Sequence, residues 1–133
     1  MFGSKNPVSA YTQVSIDSAV HSADPHRLIL LLFQGAESAV SLARESIRQG
    51  NLFGKSQALS QAIDIITNGL LASLDGENGG DLAAKLAALY EYMSTRLLHA
   101  NLKNDVVALD EVAVLLAEIR GAWEEITPNA HGS

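Results

Sequence analysis

Proline stands only at positions 7, 25 and 128, so the whole middle of the chain lacks the residue that most reliably breaks a helix. Across that span apolar residues recur at steps of three and four. Leu109, Val112, Leu116, Ile119, Trp123 and Ile126 form one continuous seam, the pattern of a helix with a single buried face. An earlier segment carries Leu82, Leu86, Leu89, Met93, Leu97 and Ala100, and another Leu59, Ile63, Ile66 and Leu70, flanked by Ala62 and Leu74. No stretch alternates with period two in β-branched residues, so strands are not expected.

The punctuation divides this span into four. Asp24 is a good N-cap and Pro25 suits a first helical position, so the first helix is expected over 24–49 and stops at Gly50. A second over 52–74 ends in the run Asp75-Gly76-Glu77-Asn78-Gly79-Gly80, a clear loop. Asp81 is expected to cap a third over 81–103, and a tight turn at Asn101 to Asp105 leads to a fourth over 105–127. Helices of about 20 to 25 residues, roughly 30 to 37 Å long, joined by short connections, imply an all-α, antiparallel up-down four-helix bundle. Residues 1–23 read as an N-terminal arm, with room for a short extra helix, docking through Tyr11 and Val14. Residues 128–133 read as a disordered tail.

The helices carry more apolar surface than one seam each. Helix one has Leu28, Leu32, Gly35, Ala39 and Leu42 on one line and Ile29, Phe33, Ala36, Val40, Ala43 and Ile47 on another, the two centred about 100° apart. Helix two adds Ala58, Ile65 and Ala72. On helix four, Val107, Val114 and Gly121 lie opposite the core seam, among Asp110, Glu111, Glu118 and Glu125. Leu98 and Tyr92 point away from the seam of helix three, whereas Tyr90 sits at its edge. Two readings are open. A bundle helix touches two neighbours, which widens its apolar arc, or the surplus forms shallow grooves for amphipathic helices of a partner. On the second reading the candidate contact residues are Tyr11, Val14, Ile29, Phe33, Val40, Ile65, Tyr92, Leu98, Val107 and Val114.

Chemistry is sparse. With no cysteine, disulfides and thiolate metal sites are excluded. A carboxylate-bridged metal bundle needs Glu-x-x-His pairs, yet Arg96 stands three residues before His99, and His21, His26 and His131 lie near the ends. Gly76 to Gly80 lacks the Lys-Ser/Thr sequel of a phosphate loop. No catalytic residue, metal or cofactor is expected. A net charge of −6 disfavours nonspecific binding to nucleic acid or anionic membrane. Arg27, Arg44 and Arg48 are offset by Glu37 and Glu45. The longest uninterrupted apolar run, Leu28 to Phe33, is far below the roughly 20 residues that cross a bilayer, and Met1 to Ser18 has no apolar core of a signal sequence. A cytoplasmic location is expected.

Three blocks are more specific. Ala23-Asp24-Pro25-His26-Arg27-Leu28-Ile29-Leu30-Leu31-Leu32-Phe33-Gln34-Gly35-Ala36 resembles the first-helix signature of the FliS family, the flagellin-specific export chaperones. A second block runs from Gly79-Gly80-Asp81-Leu82-Ala83 through Leu89-Tyr90-Glu91-Tyr92-Met93 and Arg96-Leu97 to Ala100-Asn101-Leu102-Lys103-Asn104-Asp105. The third is Leu115-Leu116-Ala117-Glu118-Ile119-Arg120-Gly121-Ala122-Trp123. Together they cover about residues 10 to 125 in collinear order. One departure stands out, Phe33-Gln34 where the family usually has Tyr-Asp.

The resemblance implies a cytoplasmic bundle that binds the C-terminal helical region of newly made flagellin, prevents premature polymerisation and delivers it to the flagellar type III export apparatus. It also implies the export gate and other flagellar regulators as further partners, and an N-terminal arm, here around Tyr11 and Val14, that covers part of the apolar surface. A monomer or weak dimer is expected in the free state. Two rivals make different demands. A self-associating structural or regulatory bundle would form a tight dimer indifferent to flagellin, and a metal-dependent bundle enzyme would carry stoichiometric metal.

Overall fold

Asp24 sets where the first helix begins. Its carboxylate accepts from the backbone N–H groups of His26 at 3.1 Å and Arg27 at 3.4 Å, which would otherwise be unpaired at a helix start. The computed structural model describes residues 24–74 and 79–126, so the expected arm with Tyr11 and Val14, and the expected tail, lie outside the described residues. Helix α1 spans Pro25–Arg48 and is followed by Gly50 at φ 73°, a left-handed position that costs glycine little. Helix α2 starts at Leu52, capped by Asn51, whose side chain accepts from the Gly54 N–H at 2.9 Å. Helix α3 spans Gly80–Lys103 and is ended by Asn104 at φ 53°. Helix α4 spans Val106–Glu125, with the Asp105 carboxylate accepting from the Ala108 N–H at 3.2 Å.

Two expectations about the ends and course of helices are corrected. Asp81 does not cap α3. The helix begins at Gly80, with Gly79 before it and no side-chain cap, and Asp81 lies inside the first turn, where its charge still favours the positive end of the helix dipole. The second helix is α-helical only over Leu52–Asp64 and continues as a π-helix over Ile65–Leu71, with i→i+5 bonding.

Polar contacts fix the directions of the rods. The start of α1 meets the end of α4 at His26 and Trp123, and the end of α1 meets the start of α4 through Arg44 and Asp110. Lys55, at the start of α2, reaches Asn101 and Asn104 at the end of α3. Each pair is antiparallel. Helices α1 and α3 both pack against α2 and α4, so they occupy one diagonal of an up-down bundle. The described residues are all-α, as expected.

All four rods contribute to the core. Leu109, Val112 and Leu116 come from α4, Tyr90, Met93, Leu97 and Ala100 from α3, and Leu59, Ala62, Ile66 and Leu70 from the second helix and its π segment. From α1 both lines contribute, Leu32 and Ala39 from the first and Phe33, Ala36, Val40 and Ala43 from the second. The two-neighbour reading therefore holds for α1. Three large seam residues lie on the surface. Leu82 lies in the first turn of α3 and Ile126 beyond the last residue of α4, and Leu42 sits on the flank of α1 while Ala43 faces inward; all three are exposed.

Small residues let α1 and α2 approach closely. A Cβ on Gly69 would stand 3.0 Å from Cδ2 of Leu32, and one on Gly35 would stand 3.3 Å from Cδ1 of Ile65. Ile65 thus fills the notch that Gly35 leaves. Across the core, the Phe33 and Tyr90 rings lie 6.5 Å apart at 56°, a favourable tilted pairing.

Burial pushes the Tyr90 hydroxyl up to about 12, because a phenolate is poorly solvated there. A folded-state value above the ordinary 10.0 means a contribution to stability that is complete below pH 10 and lost as pH rises towards 12. Chemical denaturation across this alkaline window should show stability falling, and Tyr90→Phe should flatten that part of the profile. An unchanged slope in the variant would show that Tyr90 is not the group responsible.

Candidate partner-binding surface

With the core closed, several large apolar side chains still face outward. At the start of α2 these are Leu52 and Phe53, near the end of α3 Leu98 and Leu102, and at the start of α4 Val107. All five lie towards the end of the bundle that carries the α1–α2 and α3–α4 turns. Phe53 is 73% exposed, Leu102 81% and Val107 73%. Val114 continues the line of Val107 along α4, and Tyr92 stands on the outer side of α3 towards α4.

Hydrogen bonds hold this end in place. The Lys55 ammonium is buried and donates to the Asn101 carbonyl at 2.8 Å and to Asn104 Oδ1 at 2.6 Å. Beside it the Ser56 hydroxyl donates to Asn101 Oδ1 at 3.3 Å. In the sequence Phe53 lies two residues before Lys55, and Leu98 and Leu102 lie three residues before and one after Asn101. Between α3 and α4, Glu111 accepts from the Tyr92 hydroxyl at 2.5 Å and from Arg96 Nε at 2.8 Å. The Tyr92 hydroxyl, followed by Arg96, holds the Glu111 carboxyl below its ordinary range. Asp105 is likewise lowered, first by the Ala108 N–H it caps and further by His99, whose Nε2 lies 3.0 Å away. At the opposite end the His26 and Trp123 rings stack at 4.9 Å, and Trp123 Nε1 donates to the His26 carbonyl at 3.0 Å.

Tyr11 and Val14 lie outside the described residues, and the other eight expected contact residues fall into three groups. Tyr92, Leu98, Val107 and Val114 are exposed. Ile29 is half-buried and packs on the core. Phe33, Val40 and Ile65 are 1 to 3% exposed, and this corrects their placement, because they hold the bundle together and offer no surface while it is closed. Phe33 and Val40 are buried because α1 has a neighbour on each side, and Ile65 because it seats against Gly35. Sequence reading missed Leu52, Phe53 and Leu102. Leu102 was within reach, being four residues after Leu98 and so on the same face. The buried Lys55 had no signal, since lysine is almost always exposed.

Apolar patches bordered by fixed polar groups are what an amphipathic helix recognises. Among the described residues no helix is long and apolar enough to cross a membrane.

The sequence model of the flagellar protein FliS family matches residues 7–130. The chain is 54% identical over 123 residues to the flagellar secretion chaperone FliS of Salmonella typhimurium, covering 92% of this chain and 91% of that protein. It is 46% identical over 125 residues to the flagellar secretion chaperone FliS of Escherichia coli, covering 94% and 91% of the two chains. To the flagellar secretion chaperone FliSB of Pseudomonas aeruginosa it is 45% identical over 117 residues, covering 88% and 92%. The chain belongs to the FliS family. It is thus a member of a family of flagellar secretion chaperones.

In this FliS chain the three signature blocks, distant in sequence, meet in space. His26 of the first stacks on Trp123 of the third, and Phe33 of the first pairs with Tyr90 of the second across the core. The departure at Phe33-Gln34 also has a physical setting. Phe33 lies in the core, where a phenol would need a partner for its hydroxyl, and Gln34 is on the surface.

Proposed function

We propose that this protein is a cytoplasmic export chaperone without catalytic activity. It binds the C-terminal helical region of flagellin, prevents its premature polymerisation and delivers it to the flagellar type III export apparatus. The observation that carries the reading is the set of large apolar side chains left outside a closed core, on a chain whose relatives are named flagellar secretion chaperones. Flagellin's terminal helices are made to pack with one another in the filament, and an apolar stripe of the same kind shields them. Each Val, Leu or Phe side chain that the client covers contributes about 1.5–3 kcal/mol. Ordering the client opposes this, which tempers affinity and permits release. Tyr92, Leu98, Val107 and Val114 are the contact residues of this reading, joined by Phe53 and Leu102.

Calorimetric titration with flagellin, and with flagellin lacking its last roughly 40 residues, the chain length of about two bundle helices, tests the client. Tight binding of the first and none of the second is expected; equal affinity for both overturns the reading. Val107→Asp and Val114→Asp test the surface. Each should leave stability within about 0.5 kcal/mol, as surface changes do. Each should weaken flagellin binding by about tenfold or more, since a carboxylate replaces covered apolar surface. Unfolding of either variant would contradict the outward placement of these two side chains.

A further inference from the structure

The outer face of α4 repeats. Val107, Val114 and Gly121 stand seven residues apart, and four residues after each comes a carboxylate, Glu111, Glu118 and Glu125. Steps of four and seven keep all six on one side of a helix. Within Val106–Glu125 there are five carboxylates and one cation, Arg120. Three of the five carboxylates have partners. Asp110 is held by Arg44 at 2.7 Å, Glu111 by Arg96 at 2.8 Å, and Glu124 by Arg120 at 3.0 Å. Glu118 and Glu125 are exposed, and among the described residues neither makes an ion pair. Between them Gly121 leaves open space, for a Cβ there would meet nothing within 4 Å.

We propose that this face of α4 docks an amphipathic helix carrying lysine or arginine beside apolar residues spaced by seven. Val107 and Val114 offer the apolar contacts, Gly121 admits a larger side chain from the partner, and Glu118 and Glu125 supply the two charges of α4 that make no ion pair among the described residues. Seven residues rise about 10.5 Å along either helix, so the contacts stay in step over the length of α4. The same two carboxylates repel a helix with acidic flanks, so the face selects by charge as well as by apolarity. This extends the flagellin reading to the charge of the segment taking α4, and rests on it only for the identity of the client.

Three synthetic helical peptides of about 21 residues, roughly 32 Å and so matched to α4, supply the probe. All carry leucine at every seventh position, and the flanking positions are lysine, glutamine or glutamate. Fluorescence anisotropy against the full chain at low salt should find the lysine peptide about tenfold tighter than the glutamate peptide, two exposed ion pairs replacing two like-charge contacts. At 1 M salt, where the Debye length is about 3 Å, the gap should shrink to about twofold. In E118Q/E125Q, with circular dichroism unchanged, the gap should also fall to about twofold at low salt. Val114→Ser should weaken all three peptides alike. Equal affinities in the native chain, or discrimination that survives in E118Q/E125Q, overturns the proposal. If the peptides discriminate while flagellin does not bind, the face stands and the client reading falls; flagellin binding without peptide discrimination gives the reverse.

Discussion

Leu116→Ala should lower the unfolding free energy by about 2–5 kcal/mol, the range for truncating a buried leucine. Leu116 is fully buried in the α4 seam with Leu109 and Val112, and all four rods contribute to the core it fills. Shortening it removes transfer energy and leaves a cavity that fixed helices close only in part. The control lies two residues away. Val114 is 56% exposed, so Val114→Ala should change stability by no more than about 0.5 kcal/mol. Urea denaturation of both variants gives the comparison, and similar losses at the two positions would mean that the facing of α4 is wrong.

Lys55→Met should destabilise by about 2–3 kcal/mol, with the denaturant slope unchanged. The substitution keeps most of the side chain's length and removes its charge and its N–H donors. What is lost are two charge-assisted hydrogen bonds, to the Asn101 carbonyl and Asn104 Oδ1. The Asn101 carbonyl belongs to the last turn of α3, where carbonyls lack helical partners and carry the negative end of the dipole. Part of the loss is offset because a cation no longer has to be buried. Lys103→Met, at an exposed position on α3, should stay within about 0.5 kcal/mol. If Lys55→Met were equally silent, the tie between α2 and the α3–α4 turn would contribute nothing to stability.

These two positions differ in how visible they are beforehand. Leu116 belongs to a 3-4-3-4-3 series that any helix would turn to one side. Lys55 sits in a segment where nothing distinguishes a buried lysine from a solvated one, because its burial depends on carbonyls supplied by a different helix. His26 shows the same limit. Near a helix start it reads as a solvated or capping residue, but its ring stacks on Trp123 from the far end of the chain.

The chain's own residues determine the rods, because caps and periodicity act over a few residues. Asp24 with Pro25, Gly50, and the seams of α3 and α4 need no neighbour to be read. So too does the outward line of Val107 and Val114, which the wheel alone places opposite the core. Only the tertiary structure decides how surplus apolar surface is shared between core and exterior. Phe33 and Val40 go inside because α1 lies between two neighbours, and Ile65 because Gly35 on another helix leaves it a notch. Leu42, Leu82 and Ile126 stay outside because no rod covers their flank or end. Local signals specify a direction on each helix; which directions meet depends on the packing of all four.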